Sequence, residues 1–224
     1  KKRQRAPRNQ RDKNPKPIRI TQRDIAILQA IYDYRWLMTE QIYRLFFPSL
    51  HRAYERMEAL YHNGYVGRVF PGENINQMNV AMLYVLDKRG AKVLSEYLKY
   101  EIALDGQARK VKPMFLEHTI AINDVRIAVS LACQKAGWLL LDWQTEAELK
   151  ANYDRVALPG RMGQLEAVPL VPDSYFKIDN GNKKPAHFFL ELDRNTMAHK
   201  RFKAKVLAYN IYAEAGGAEK RFST

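Results

Sequence analysis

A mixed α/β fold (α+β overall) in two domains is what two features of this 224-residue chain predict. In the first half, three short amphipathic segments with helix-start signals precede two apolar strands around a turn-rich loop. In the second, a long apolar helix leads into several strands and another helix, the order of an α/β layer architecture. The composition, 46% hydrophobic and 27% charged, is that of a folded chain rather than a disordered one. A single cysteine, Cys133, excludes a disulfide framework and a Cys-based zinc site, and fits a reducing, cytoplasmic setting. No apolar run has the length of a membrane-spanning helix, and no signal-peptide pattern opens the chain, so no membrane insertion is expected. The formal net charge of +13 points to nucleic acid or an acidic surface as partner.

Residues 1–19, beginning "KKRQRAPRNQRDKNPKP", hold eight basic residues, one acid and three prolines before Ile18. With no periodicity, this stretch predicts a flexible tail, either simply solvated or a phosphate-binding arm. Helical spacing starts at residue 20. Thr21 reads as an N-cap with Asp24 three residues on, a variant of the capping box, ahead of Ile25, Leu28, Ile31 and Tyr32. In "MTEQIYRLFFP", Thr39 is the expected cap, Ile42, Leu45 and Phe46 face inward, and Pro48 stops the helix. A third helix runs from the cap Ser49 to the C-terminal signal Asn63-Gly64. "YVGRVF", the loop "PGENINQMN" and "VAMLYVLDKRGAKVLSEYL" then read as strand, loop, strand and helix.

That order, over residues 20–100, is that of a winged helix-turn-helix, whose third helix is the recognition element. His51, Arg52, Glu55 and Arg56 are its expected outward positions. Arg52 and Arg56, one turn apart, are spaced to reach phosphate or guanine together. His51, Arg52, Arg56 and, on the following strand, Arg68 are the candidate contacts to double-stranded DNA. A protein-binding winged helix is the alternative.

Periodicity fades over 101–112, a linker. The second domain, 113–224, opens with "PMFLEHTIAINDVRIAVSLACQKAGW", a helix apolar nearly all round and therefore covered on several sides. His118 in it reads as a hydrogen-bonded core group. A strand follows in "GWLLLDWQTEAEL", then an irregular stretch, "ANYDRVALPGRMGQLEAVPL". Two more strands, a helix ended by Gly216-Gly217 and the start of a further strand complete the order, and the domain is expected to continue past Thr224.

The chemistry-bearing residues lie on those last two strands. In "HFFLELD", Phe188, Leu190 and Leu192 take one face, and His187, Phe189, Glu191 and Asp193 the other. In "VPDSYFKID", Asp173 shares a face with Tyr175 and Lys177. If the segments pair around "DNGNKKP", Asp173 comes near Glu191. Three clustered carboxylates repel unless a cation lies between them, and a hard divalent ion takes such oxygen ligands. The acids are therefore either solvated charges paired with lysines or holders of Mg2+ or Mn2+. The five histidines are scattered, and no Gly-rich phosphate loop is present.

"PD", a spacer, and "E-x-D" at the end of an apolar strand before a helix resemble the PD-(D/E)xK nuclease core. The fuller run "VPDSYF…FFLELDRNT…K…Y", with the "H…NDVR" helix from His118 to Arg126, is similar to the replication-relaxation family. Those plasmid and mobile-element proteins include the MOB-C type relaxases of conjugation and also carry an amino-terminal winged helix. The resemblance runs from about Thr21 to Thr224 and implies a restriction-endonuclease-like second domain. It implies Asp173, Glu191 and Asp193 as metal ligands for Mg2+ or Mn2+. Asp193 stands where the general nuclease pattern has its lysine, and Lys205, one turn before Tyr209, is the residue expected to replace that lysine. The activity implied is metal-dependent nicking of double-stranded DNA at a transfer or replication origin, alongside other conjugation or replication proteins. The alternatives are a non-catalytic replication initiator or repressor with a degenerate nuclease fold, or a structural partner protein.

Overall fold

The structure is a computed structural model that describes residues 8–70, 82–104, 106, 113–160, 164–182, 184–193 and 198–222. Among these the chain forms eight helices and eight strands, a mixed α/β fold. Packing divides it into two units, 1–127 and 128–224. Much of the expected linker lies outside the described residues, and the division falls later, within the long helix α5 (Pro113–Ala136).

The first unit runs α1 (Gln22–Tyr34), β1 (Leu37–Met38), α2 (Thr39–Phe46), α3 (Leu50–His62), β2 (Val66–Val69), β3 (Leu83–Leu86), α4 (Lys88–Leu98) and the start of α5. Thr21 caps α1 as expected: Asp24 Oδ2 accepts the Thr21 N–H at 2.7 Å, and Thr21 Oγ1 accepts the Asp24 N–H at 3.3 Å. Ser49 caps α3, and Gly64 leaves it with φ +80°, a conformation a Cβ would strain. Thr39 is not a cap but the first residue of α2. It is buried, and Gln41 Oε1 takes the Met38 N–H at 3.0 Å instead. The two-residue β1 was not expected and joins β2 and β3 in an antiparallel sheet of order β1-β3-β2. Trp36, Val69, Leu83, Val85 and Leu116 pack together there. The loop "PGENINQMN" lies outside the described residues.

From Arg8 onward the basic segment lies on this unit rather than running free. The Arg11 guanidinium donates to the carbonyls of Tyr61 and Val66, each at 2.8 Å, and pairs with Asp87 at 2.5 Å. The Tyr61 carbonyl is in the last turn of α3, where carbonyls have no partner within the helix, so a guanidinium is a natural donor.

The second unit holds β4 (Leu139–Thr145), α6 (Glu146–Ala151), β5 (Asp154–Pro159), β6 (Leu165–Leu170), β7 (Ser174–Asp179), β8 (Ala186–Leu190), α7 (His199–Glu214) and α8 (Gly217–Phe222). The acidic end of the segment expected to be a strand forms α6 instead, started by a Thr145/Glu148 capping box, and the stretch expected to be irregular forms the antiparallel hairpin β5–β6. Pro159 and Pro169 lie within these strands, which a two-stranded sheet allows because both strands are edges, where a missing N–H is tolerated. The further strand expected after α7 is the short helix α8 instead, entered through Gly216 at φ +63°. Its Phe222 stacks on Tyr175 with ring centroids 3.7 Å apart, apolar burial that a local reading could not foresee. The main sheet has order β4-β7-β8, all antiparallel.

Candidate functional site

The pairing of β7 with β8 sets the position of the acids. The register Ser174↔Leu190 puts Asp173 opposite Glu191, one step beyond the last paired residues. Backbone hydrogen bonding continues there: the Asp173 N–H donates to the Leu190 carbonyl at 3.0 Å, and the Leu192 N–H to Asp173 Oδ2 at 2.7 Å. Two carboxylates thus stand side by side where the sheet opens.

What covers them differs from a solvent face. Phe189, on the same face as Glu191, packs into the core formed by Leu149, Tyr175, Ala208, Tyr212 and Phe222. The opposite face is also apolar, with Leu190 against Cys133, Phe176 and Ile178, while Phe188 is left exposed. Glu191 therefore lies under α7. The reason is the helix itself: Lys205, Ala208, Tyr209 and Tyr212 recur at helical spacing, so one face of α7 carries both apolar and polar groups to the sheet.

Glu191 is held at both oxygens. Lys205 Nζ is 2.5 Å from Oε2, and the Tyr209 hydroxyl donates to Oε1 at 2.5 Å. Side-chain exposures of 21% and 31% make the Glu191–Lys205 pair half-buried, short of full desolvation. Burial and then the hydrogen bond to Glu191, with the charges of Glu191 and Asp173, push the Tyr209 hydroxyl far above the ordinary tyrosine range. It stays protonated and serves as a donor. Tyr212, bonded to Asp154, and Tyr175, bonded to His187 Nδ1 at 2.7 Å, are likewise raised, chiefly by burial. None of the three is poised to ionise into a phenolate nucleophile near neutral pH.

Of the expected catalytic residues, Asp173, Glu191 and Lys205 come together; Asp193 is exposed at the strand's end. Among the described residues, no group of three or more His, Cys, Asp or Glu is placed to hold a metal ion, so the three acids do not form one cluster. Two neighbouring carboxylates still fit magnesium or manganese, because such ions commonly bind one or two carboxylates and take their remaining ligands from water and phosphate. The role of Tyr209 at Glu191 was not foreseen, although its position one turn after Lys205 was the available signal.

In the first unit, Arg52 and His51 are exposed on α3, and His51 lies 3.3 Å from Glu55. Arg56 turns inward. Its Nε and terminal nitrogen donate to Asp24 at 2.7 and 2.5 Å, and it also bonds the Arg19 carbonyl. Arg68 lies 4.1 Å over the Tyr61 ring and bonds the Arg8 carbonyl. The sequence could not distinguish Arg56 from Arg52, because the deciding partner lies 32 residues away. No helix of the described residues is long and apolar enough to cross a membrane.

A family model described as Replication-relaxation matches residues 28–223. No curated protein and no solved structure matches the chain.

Proposed function

We propose a function from one premise: the chain belongs to the replication-relaxation family. That membership gives it a role in DNA replication or relaxation. Within that role the reading supported best is metal-dependent nicking of DNA at a plasmid or mobile-element origin, as in MOB-C type relaxases. The first unit acts as a winged helix that docks duplex DNA through α3, with Arg52 and His51 outward. The second acts as a PD-(D/E)xK-like nuclease domain.

The observation that carries this reading is the juxtaposition of Asp173 and Glu191 at the end of the β7–β8 pair, with Lys205 on Glu191. Asp173 and Glu191 would hold a magnesium or manganese ion, which when bound supplies Lewis-acid stabilisation of a phosphodiester. Lys205, fixed by Glu191, orients a water and neutralises charge developing on the phosphoryl oxygens. In the hydrolysis, the water oxygen joins phosphorus, one P–O ester bond breaks, and a water proton ends on the leaving oxygen. Tyr209 keeps Glu191 in place rather than attacking.

Calorimetry with Mn2+ tests the site first, comparing the unmodified chain with an Asp173→Asn, Glu191→Gln double variant. Binding that disappears in the variant, followed by Mn2+-dependent nicking of supercoiled origin plasmid that it also loses, is the expected outcome. Equal binding, or nicking that persists in the variant, refutes the assignment. A non-catalytic DNA-binding initiator or repressor is the second reading, favoured by the Lys205–Glu191 ion pair and by the lack of a three-ligand group among the described residues. DNA binding with no nicking under any metal supports it.

A further inference from the structure

Between the β5–β6 hairpin and α7 lies a cavity of about 250 Å³, entirely within the second unit. Its walls are apolar, including Leu158, Val168, Leu170, Ala204 and Ala208. Three polar residues also line it, Arg201, Lys205 and Tyr209, and the last two are the same two that hold Glu191. Arg201 lies one turn before Lys205, and no carboxylate lines the space.

We infer that this cavity takes one unstacked nucleobase of the DNA strand whose phosphate lies at Glu191 and Lys205. The inference deepens the nicking reading and rests on it for the position of that phosphate.

Three features select such a ligand. The lining is apolar, with a tyrosine on one side, and so suits the face of a planar ring; stacking of this kind accepts any base. The charged positions, Arg201 and Lys205, lie on the same helix face and suit the phosphate that a base carries with it, in a chain of net charge +13. Size separates a base from larger ligands: about 250 Å³ is below the roughly 300–1,000 Å³ of pockets that enclose a whole drug-sized molecule. One ring system fits, and a base pair does not. Taking a base out of the stack costs least in an unpaired strand, so single-stranded DNA is the preferred form. The base in the pocket would fix which phosphate reaches Glu191, making the hairpin and α7 a register-setting element.

The probes are thymidine 5′-monophosphate, deoxyribose 5-phosphate and the trinucleotide d(TTT), followed by ligand-observed saturation-transfer NMR in the presence of EDTA. Ala204→Trp blocks the cavity from an exposed helix position, so the fold is not at risk. The expected result is saturation of the thymine protons, none for the sugar phosphate, and about tenfold weaker base binding in Ala204→Trp, within the range for losing one stacked base. Arg201→Ala should weaken the monophosphate several-fold, and should weaken thymidine, added as a probe without phosphate, little. The trinucleotide should bind about tenfold tighter than the monophosphate; equal affinity marks a free-nucleotide pocket and overturns the strand assignment. Identical binding by Ala204→Trp and the unmodified chain overturns the pocket itself. A nicking assay run beside the binding measurement separates the two readings. Nicking with no Ala204→Trp effect on base binding sinks only the pocket; base capture lost in Ala204→Trp but no nicking by any form sinks only the catalytic reading.

Discussion

Replacing Arg56 by alanine is expected to destabilise the first unit by about 3–5 kcal/mol, the usual cost of leaving one member of a buried ion pair behind. The structure sets the size. The Asp24 side chain is 1% exposed and Arg56 26%, so the carboxylate is the group that cannot reach water. Asp24 accepts two hydrogen bonds from Arg56 and two from Thr21, and the variant removes the first two together with the countercharge. Against a total stability of about 5–15 kcal/mol for a domain, that is a large fraction. The reverse change, Asp24→Asn, should cost less, about 1–2 kcal/mol, because Arg56 keeps the Arg19 carbonyl and can turn to solvent. The pH dependence gives a second signature. Burial pushes the Asp24 carboxyl up, but the bonds from Arg56 and Thr21 outweigh it and leave it below its ordinary 3.8. A depressed carboxyl contributes stability that is present above the unfolded value of 3.8 and lost as pH falls through the folded value. Arg56→Ala removes the largest lowering cause, so its deficit should shrink as pH falls below 3.8 and through the folded value. Urea unfolding followed by circular dichroism, with hydrogen exchange of α1 and α3 amides, measures both effects. A loss under about 1 kcal/mol at pH 7, or a deficit that does not change with pH, refutes the buried-pair account.

On the DNA-docking reading, Arg52→Ala should lower the slope of log affinity against log salt by about 0.9, whereas Arg56→Ala in its folded fraction should leave it unchanged; fluorescence anisotropy on duplex DNA compares them. Tyr209→Phe keeps the ring against Phe189 but removes the donor to Glu191, so Mn2+ affinity should fall about 10- to 100-fold by calorimetry, as for other groups that orient a metal ligand. Tyr175, Tyr209 and Tyr212 are raised by burial first, so the folded state holds their protons longer than the unfolded one. Their contribution is complete below the ordinary value of 10 and is lost as pH rises above it, which predicts alkaline unfolding together with the ultraviolet signal of phenolate formation. Gly90→Ala would put a Cβ 2.2 Å from the Tyr65 carbonyl oxygen, backbone that cannot give way cheaply, and should lower stability by about 1–3 kcal/mol in thermal unfolding despite the better helix propensity of alanine.

Much of the local structure was legible in the sequence. Thr21 with Asp24, Ser49, and Asn63-Gly64 mark helix ends through contacts within a few residues, and the alternation of "HFFLELD" assigned each side chain its face. Pairing of β7 with β8 around the polar turn followed from two short apolar strands, and it placed Asp173 opposite Glu191. Where local signals competed, the sequence misled. The stretch read as irregular holds the β5–β6 hairpin, and the last residues read as the start of a strand because nothing local reports that Phe222 will stack on Tyr175.

The residues by themselves determined most of the helix ends, which side chains of the acidic strands share a face, and that a basic chain carries neighbouring acids. Alternation says that residues face the same way but not what lies opposite, so tertiary structure alone decided that α7 covers the Glu191 face and brings Lys205 and Tyr209 to its two oxygens. It also separated Arg52 from Arg56. Both sit on α3 with similar spacing, and only the fold brings buried Asp24 within 2.7 Å of one of them. A charge on a helix becomes a structural tie or a surface group according to the partner that packing supplies, and that partner is distant in the chain.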